Sequence, residues 1–291
     1  MIRKILKLLA ILILLVVIYF GYIFGRQAWD FFKLKKYKEN LEFTASENVK
    51  LLKDTIYLEF LDERRTLHIF LPPGYENSDQ KYPVIYMLDG ESLFDDLYMQ
   101  GPEWQLDERI ESVMAEGGPG AIVIGIENGD RRSEEYKPFA KTDSNEEVYG
   151  SEFSRFLVHD LKPWIDMRFK TKRSPRHTII GGASLGGLMA YYILMTYPET
   201  FGKAIVMSPS FWVSDEVFRL HYDKDLSDKK IFISIGTEEN DLVGLAKRTF
   251  KVLEAAGMTS DNLRLEKQRG FSHNHFTWRD AFKKAYPWII E

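Results

Sequence analysis

The chain has 291 residues, 45% of them hydrophobic and 28% charged, which is too apolar for a disordered or fibrous protein and calls for a packed core. Its 39 Lys and Arg against 43 Asp and Glu leave a net charge of −4. There is thus no basic excess to track a phosphate backbone, and nucleic acid is not an expected partner. The absence of cysteine excludes disulfides, thiolate metal sites, a cysteine nucleophile and lipid attachment through cysteine, while leaving the redox compartment open.

The amino-terminal segment stands apart. From Leu8 to Phe24 the sequence LLAILILLVVIYFGYIF carries no charge, and Ile5 and Leu6 extend it across Lys7 towards the ~20 residues that span a bilayer. A cleavable signal peptide has a shorter apolar region ending in small residues. This run ends in Tyr22, Ile23, Phe24, Gly25 and Arg26, so an uncleaved single-pass membrane anchor over residues 1–28 is expected. Arg3, Lys4 and Lys7 precede the run, and Arg26, Lys33, Lys35, Lys36 and Lys38 follow it. Counted alone, those charges favour a cytoplasmic carboxyl-terminal side. A very short basic tail before a long apolar stretch is, however, how signal anchors begin, and on that ground the catalytic domain is expected outside the cytoplasm. Residues 29–50 carry mixed charge without a strong period and suit a membrane-proximal stem, possible as helix.

From Thr55 the pattern changes, and residues 51–291 read as one domain. Apolar runs rich in β-branched and aromatic residues (Thr55–Phe60, Leu67–Leu71, Val84–Leu88, Ala121–Ile126, Thr178–Gly181, Ala204–Met207 and Ile231–Ile235) alternate with helical patterns. That is the signature of βαβ units around a mostly parallel sheet, an α/β fold flanked by helices. Phe153, Phe156, Leu157, Leu161, Trp164 and Ile165 recur at spacings of three and four, so they are expected on one helical face against the sheet, with Glu152, Arg155 and Lys162 towards water.

The chemistry gathers at four places. Gly182-Ala183-Ser184-Leu185-Gly186 directly follows the run His177–Gly181 and directly precedes the helical Leu188–Leu194. Strand, sharp turn and helix around a serine make a nucleophile elbow, in which glycines permit the tight turn and the hydroxyl projects above a helix N-terminus. Ser184 is therefore the expected nucleophile of an α/β-hydrolase fold. Serine needs a base, and in this fold the order along the chain is Ser, acid, His. His221 precedes the strand that should carry the acid, which leaves His273 and His275 in the loop opening the last helix. His273 is preferred, because His275 and Trp278 are three apart and begin a helical packing face. A metal on the His273-Asn274-His275 pair is disfavoured, since no third ligand stands at metal spacing. The acid should follow the strand Lys230–Ile235, where Glu238, Glu239 and Asp241 compete; Glu239 is the first choice and Asp241 the second. An oxyanion hole needs two backbone N–H groups. Leu185 supplies one, and Glu91, behind the Asp89-Gly90 turn that ends Val84–Leu88, is the candidate for the other. Arg132 and Trp212 follow strands at the carboxyl edge of the sheet, where α/β sites open, and could contact substrate.

Tyr82-Pro83-Val84-Ile85-Tyr86-Met87-Leu88-Asp89-Gly90, the stretch from Arg132 to Pro138, Gly181–Gly187, Ser208-Pro209-Ser210-Phe211-Trp212 and His273 through Trp278-Arg279 together resemble the esterase D and enterochelin esterase family of α/β-hydrolases, from about Thr55 to the carboxyl terminus. In that family a Leu-Asp-Gly turn serves the oxyanion, a Ser-Pro-Ser-aromatic-Trp segment follows the strand after the elbow, and the catalytic histidine stands five positions before a tryptophan. The resemblance implies a cofactor-free serine hydrolase for small-molecule or polysaccharide-linked esters, among them siderophore lactones, feruloyl and acetyl esters and thioesters; some relatives are acyltransferases. The family offers one acid three residues after the glycine, which maps to Glu239, whereas Glu238 and Asp241 are additions here. A membrane-tethered binding protein on a degenerate hydrolase fold would lack a triad residue, and none is missing.

Overall fold

The computed structural model describes residues 2–140, 145–222 and 224–291, without the side chains of several residues of the first helix. Eight strands form one sheet in the order β1-β2-β4-β3-β5-β6-β7-β8. They are β1 (Val49–Leu58), β2 (Glu63–Phe70), β3 (Val84–Leu88), β4 (Ile122–Ile126), β5 (Thr178–Ala183), β6 (Lys203–Met207), β7 (Lys230–Gly236) and β8 (Leu263–Gln268). The β1/β2 hairpin and the β2/β4 pair are antiparallel, and every pair from β4 through β8 is parallel. The helices are α1 (Ile2–Lys38), α2 (Asp96–Met99), α3 (Leu106–Ala115), α4 (Arg132–Glu135), α5 (Gly150–Phe156), α6 (Lys162–Arg168), α7 (Leu185–Thr196), α8 (Asp241–Ala255) and α9 (His275–Ile289).

Central strands β3 to β6 are buried along their whole length, as a parallel sheet covered on both faces requires. On one face α5, α6, α7 and α8 contribute Phe153, Ile165, Leu188 and Leu253 to the larger core. On the other, α3 and α9 bring Ile110, Trp278 and Phe282 against Ile85, Met87 and Phe232. The chain leaves β3 for β4 on one side and later enters β5 on the other, so the strand order reverses there and a crevice opens beyond the carboxyl ends of β3 and β5, the place where open α/β sheets bind ligands.

Several expectations are corrected in detail. The first strand begins at Val49, not Thr55. The edge strand β8 escapes the apolar-run reading because Arg264 and Lys267 alternate out to solvent. The long helix expected around residues 153–165 is α5 and α6 joined by a π-turn, Leu157–Leu161. Five of its six apolar positions are buried, with Trp164 partly so. Lys162 does not face water: it is 9% exposed, its ammonium donating to Asp166 at 2.6 Å and to the Arg173 carbonyl, which is the usual condition for burying a lysine.

The stem is helical as far as Lys38. Beyond it the chain is stitched to the domain: Thr44 N donates to Asp95 Oδ1 at 3.3 Å and Ser46 N to Asp107 Oδ2 at 2.8 Å. The apolar run Leu8–Phe24 lies within α1, and the side chains of Leu8, Ala10 and Ile23 fall outside the described ones. Among the described residues no helix is long and apolar enough to cross a membrane.

Candidate active site

The residues singled out in the sequence converge at the carboxyl edge of the sheet. Ser184 occupies the bend between β5 and α7 at φ 58°, ψ −120°, a strained conformation for a residue with a Cβ. The bend is held on both sides: Ser184 N donates to the Met207 carbonyl at 2.9 Å, and its carbonyl accepts from Ser210 N at 3.0 Å and from Leu188 N at 3.1 Å. A Cβ at Gly182 would lie 2.6 Å from the Gly186 carbonyl oxygen, so the first glycine is demanded by the close return of the helix onto the strand. The bend leaves the Leu185 N–H among the first amides of α7, which have no partner inside the helix and sit at its positive end.

His273, in the loop between β8 and α9, bridges the elbow and the acid. Its Nε2 lies 3.0 Å from Ser184 Oγ, and its Nδ1 lies 2.7 Å from Glu239 Oε2. The imidazole keeps 36% of its side-chain surface exposed, whereas the Glu239 side chain is wholly buried. Burying a carboxylate is costly unless donors surround it, and Glu239 has them: Ser208 Oγ and Gly236 N each donate to Oε1 at 2.7 Å. A Cβ on Gly236 would lie 2.9 Å from that same Oε1, so glycine at the end of β7 allows the acid to fold back onto its own strand. Asp241, the second-choice acid, is exposed in the first turn of α8, where an acid complements the helix dipole. Glu238 donates its backbone N–H to the Phe271 carbonyl, at 3.0 Å. Of the three carboxylates, Glu239 is the one that reaches His273.

The turn after β3 is built on charge. Asp89 adopts a left-handed conformation (φ 61°) and begins a single 3-10 turn, Gly90–Ser92, containing Glu91. Arg132, from α4, clamps Asp89 with two parallel bonds of 2.5 and 2.8 Å and lies over the Tyr136 ring. Asn128 Nδ2 bridges Asp89 and Glu91. Burial, reinforced by the negative Asp89, pushes the Glu91 carboxyl up to about 7. The clamp gives Arg132 a role that the sequence did not suggest. Arg132→Ala is expected to cost about 1–3 kcal/mol of stability, because it takes two donors from the buried Asp89. It is expected to lower kcat/KM for feruloyl and acetyl esters alike by loosening the turn. Thermal unfolding with paired substrate kinetics checks this, and a KM rise confined to the feruloyl ester would instead mean that Arg132 reads the acyl group.

Trp212 is 53% exposed while its neighbour Phe211 is buried, so the indole stands on the rim and not in the core. His275, the alternative base, is engaged elsewhere than Ser184 Oγ, which His273 meets: its Nδ1 accepts from Trp104 Nε1 at 2.9 Å, and its ring packs on Trp278. Burial lowers its pKa to about 4. Sequence reasoning missed the functions of Ser208, Ser210, Asp89 and Trp104. Ser208 (φ 43°) holds the acid, and Ser210 Oγ approaches Ser184 Oγ at 3.4 Å. The Ser-Pro-Ser segment at the end of β6 was the available signal.

Away from this edge, the carboxylates of Glu103, Asp107 and Glu108 converge to within 4.8 Å and are, among the described residues, a grouping that could hold a metal ion. Burial pushes Glu103 and Asp107 up to about 8, and protein donors from Thr44, Ser46 and Gln105 already serve them.

Residues 59–289 match the model of a family described as putative esterase. An uncharacterized protein of Bacillus subtilis, YbbA, is 26% identical over 239 residues, which cover 77% of this chain and 92% of its own length. The ferri-bacillibactin esterase BesA of the same organism is 30% identical over 205 residues, covering 63% of this chain and 65% of BesA. Among solved structures, a ferulic acid esterase superposes with a TM-score of 0.65 at 17% identity, over 84% of this chain and 98% of that one, a likeness of fold.

Proposed function

The chain belongs to the putative esterase family and is a carboxylic ester hydrolase; from that premise we propose that it works through an acyl-enzyme on Ser184, with His273 as general base and Glu239 as the acid that orients it. The observation that carries this reading is the unbroken line from Ser184 Oγ through His273 to Glu239, at 3.0 and 2.7 Å, within the reach proton transfer requires. Glu239 accepts the Nδ1–H, so Nε2 is the free base that takes the serine proton as Oγ attacks the ester carbon. The charge that forms on the carbonyl oxygen falls to the N–H of Leu185 and, in this reading, to that of Glu91 in the turn after β3. The protonated His273 then hands its proton to the departing alkoxide, and a water molecule activated by the same imidazole releases the acid. The exposure of His273 gives water access to the acyl-enzyme, which favours hydrolysis over transfer to another alcohol.

The substrates proposed are catecholate lactones and feruloyl or acetyl esters, small or attached to polysaccharide. BesA is named a ferri-bacillibactin esterase, and Arg132 and Trp212 stand on the rim where such groups would pass. Labelling with a fluorophosphonate tests the nucleophile: the wild-type protein is expected to be modified on Ser184, and a protein that resists the reagent refutes the acyl-enzyme.

We further propose that the run Leu8–Phe24 anchors the protein in a membrane, with the catalytic domain outside the cytoplasm. The exposed Leu12, Val17 and Phe24 along α1 form an apolar surface of the extent that lipid or protein normally covers. Carbonate washing is expected to leave the whole chain in the membrane fraction. A shortened chain beginning at Leu41, which keeps the Thr44 and Ser46 contacts, is expected to be soluble and active. A processed soluble form recovered from cells would identify the segment as a signal peptide.

A further inference from the structure

His275 is a half-buried imidazole two residues from the proposed base, and the proposed reaction leaves it without a task. Trp104 Nε1 donates to its Nδ1 at 2.9 Å. An indole nitrogen is a donor only, so Nδ1 must be unprotonated and the ring proton must sit on Nε2. The ring cannot turn away easily, because Trp278 packs edge-on against both His275 and His273 at centroid distances of 4.8 and 5.2 Å. The Nε2–H has no protein acceptor among the described residues. His275 instead lines a cleft of about 570 Å³ with Ser272 and Asn274, which flank His273 in the chain, with the apolar Leu34, Met99, Phe271 and Phe276, and with the polar Lys38 and Gln100.

Resting on the esterase reading above, we propose that His275 is a substrate-contacting residue, a fixed neutral hydrogen-bond donor that gives its Nε2–H to an uncharged oxygen of the ester in this cleft. The surroundings keep the donor neutral. Burial is the main cause of its low pKa, the positive Arg132 and Arg279 and the neighbouring His273 push the same way, and Asp89 alone among these opposes. Leu34, Met99, Phe271 and Phe276 make a desolvated carboxylate costly in this cleft, and they make an unmet N–H costly as well. The pair of features therefore selects a hydroxyl, ether or carbonyl oxygen on an otherwise apolar group, and discriminates against the analogue that lacks it.

The test compares 4-nitrophenyl benzoates and phenyl acetates, each with and without a ring hydroxyl, in wild type, His275→Phe and His275→Gln. Wild type is expected to prefer the hydroxylated ester in one of the two series by roughly 10-fold in kcat/KM, the usual worth of one such bond. His275→Phe should remove the preference through KM. His275→Gln, whose amide restores an N–H donor, should recover part of it. Absence of a hydroxyl preference in both series of the wild type, or an equal loss on both members of a pair in His275→Phe, overturns the proposal. Fluorophosphonate labelling of the same proteins separates the two readings. An unlabelled wild type refutes the serine mechanism itself, whereas labelling lost in His275→Phe alone makes His275 a prop for the His273 loop and overturns the donor role.

Discussion

Ser184→Ala is expected to lose at least about 10³-fold in kcat on a short-chain aryl ester while remaining folded, with the residual rate carried by the oxyanion donors and by binding. The reason lies in the line from Ser184 to Glu239: with no hydroxyl, His273 has no proton to take, and water must attack without the covalent step. Stability should change by about 1 kcal/mol or less. The elbow is held by backbone bonds from Ser184 to Met207, Leu188 and Ser210, and alanine carries the same Cβ into the same φ of 58°. Circular dichroism and thermal unfolding alongside the kinetics separate the two effects. An unchanged rate in the folded variant would place the nucleophile elsewhere.

The second large effect belongs to Glu239. Glu239→Gln preserves volume but puts an amide where three donors converge, the Ser208 hydroxyl, the Gly236 N–H and the His273 Nδ1–H. Whichever way the amide turns, its NH₂ meets a donor. If it faces His273, the imidazole must adopt the opposite tautomer, with its proton on Nε2 against the serine hydroxyl. A loss of about 10³–10⁴-fold in kcat is expected, the scale found when a triad carboxylate becomes an amide. Asp241→Asn, at an exposed helix start, is expected to stay within about twofold of wild type, as surface substitutions usually do. The reverse ranking would transfer the acid to Asp241.

The elbow was legible because its information is local: the glycines, the serine, the preceding apolar run and the following helix occupy consecutive positions. The proposed acid and base were placed by chain order, and the structure brings both beside Ser184. Glu239 was ranked ahead of Asp241 from the sequence, and the family pattern pointed the same way, but only the folded loop decides which of three neighbouring carboxylates turns inward. What stayed hidden are partnerships across the fold. Asp89 and Arg132 are 43 positions apart, and Trp104 and His275 are 171 apart; no periodicity announces either pair. Lys162 was read as a surface residue because its pattern position is indifferent to the Asp166 carboxylate and Arg173 carbonyl that bury it. The edge strand β8 alternates charge with apolar side chains and so resembles a loop until β7 pairs with it.

The proposed base lies far along the chain from the proposed nucleophile: Ser184 follows β5, whereas His273 lies between β8, paired with β7, and α9. During synthesis the sheet can begin to assemble from its amino-terminal strands, and the elbow can form, while the ester-cleaving site still lacks its proton acceptor. A chain that has completed the elbow must still add 89 residues to reach His273, so Ser184 is in place well before its proposed base.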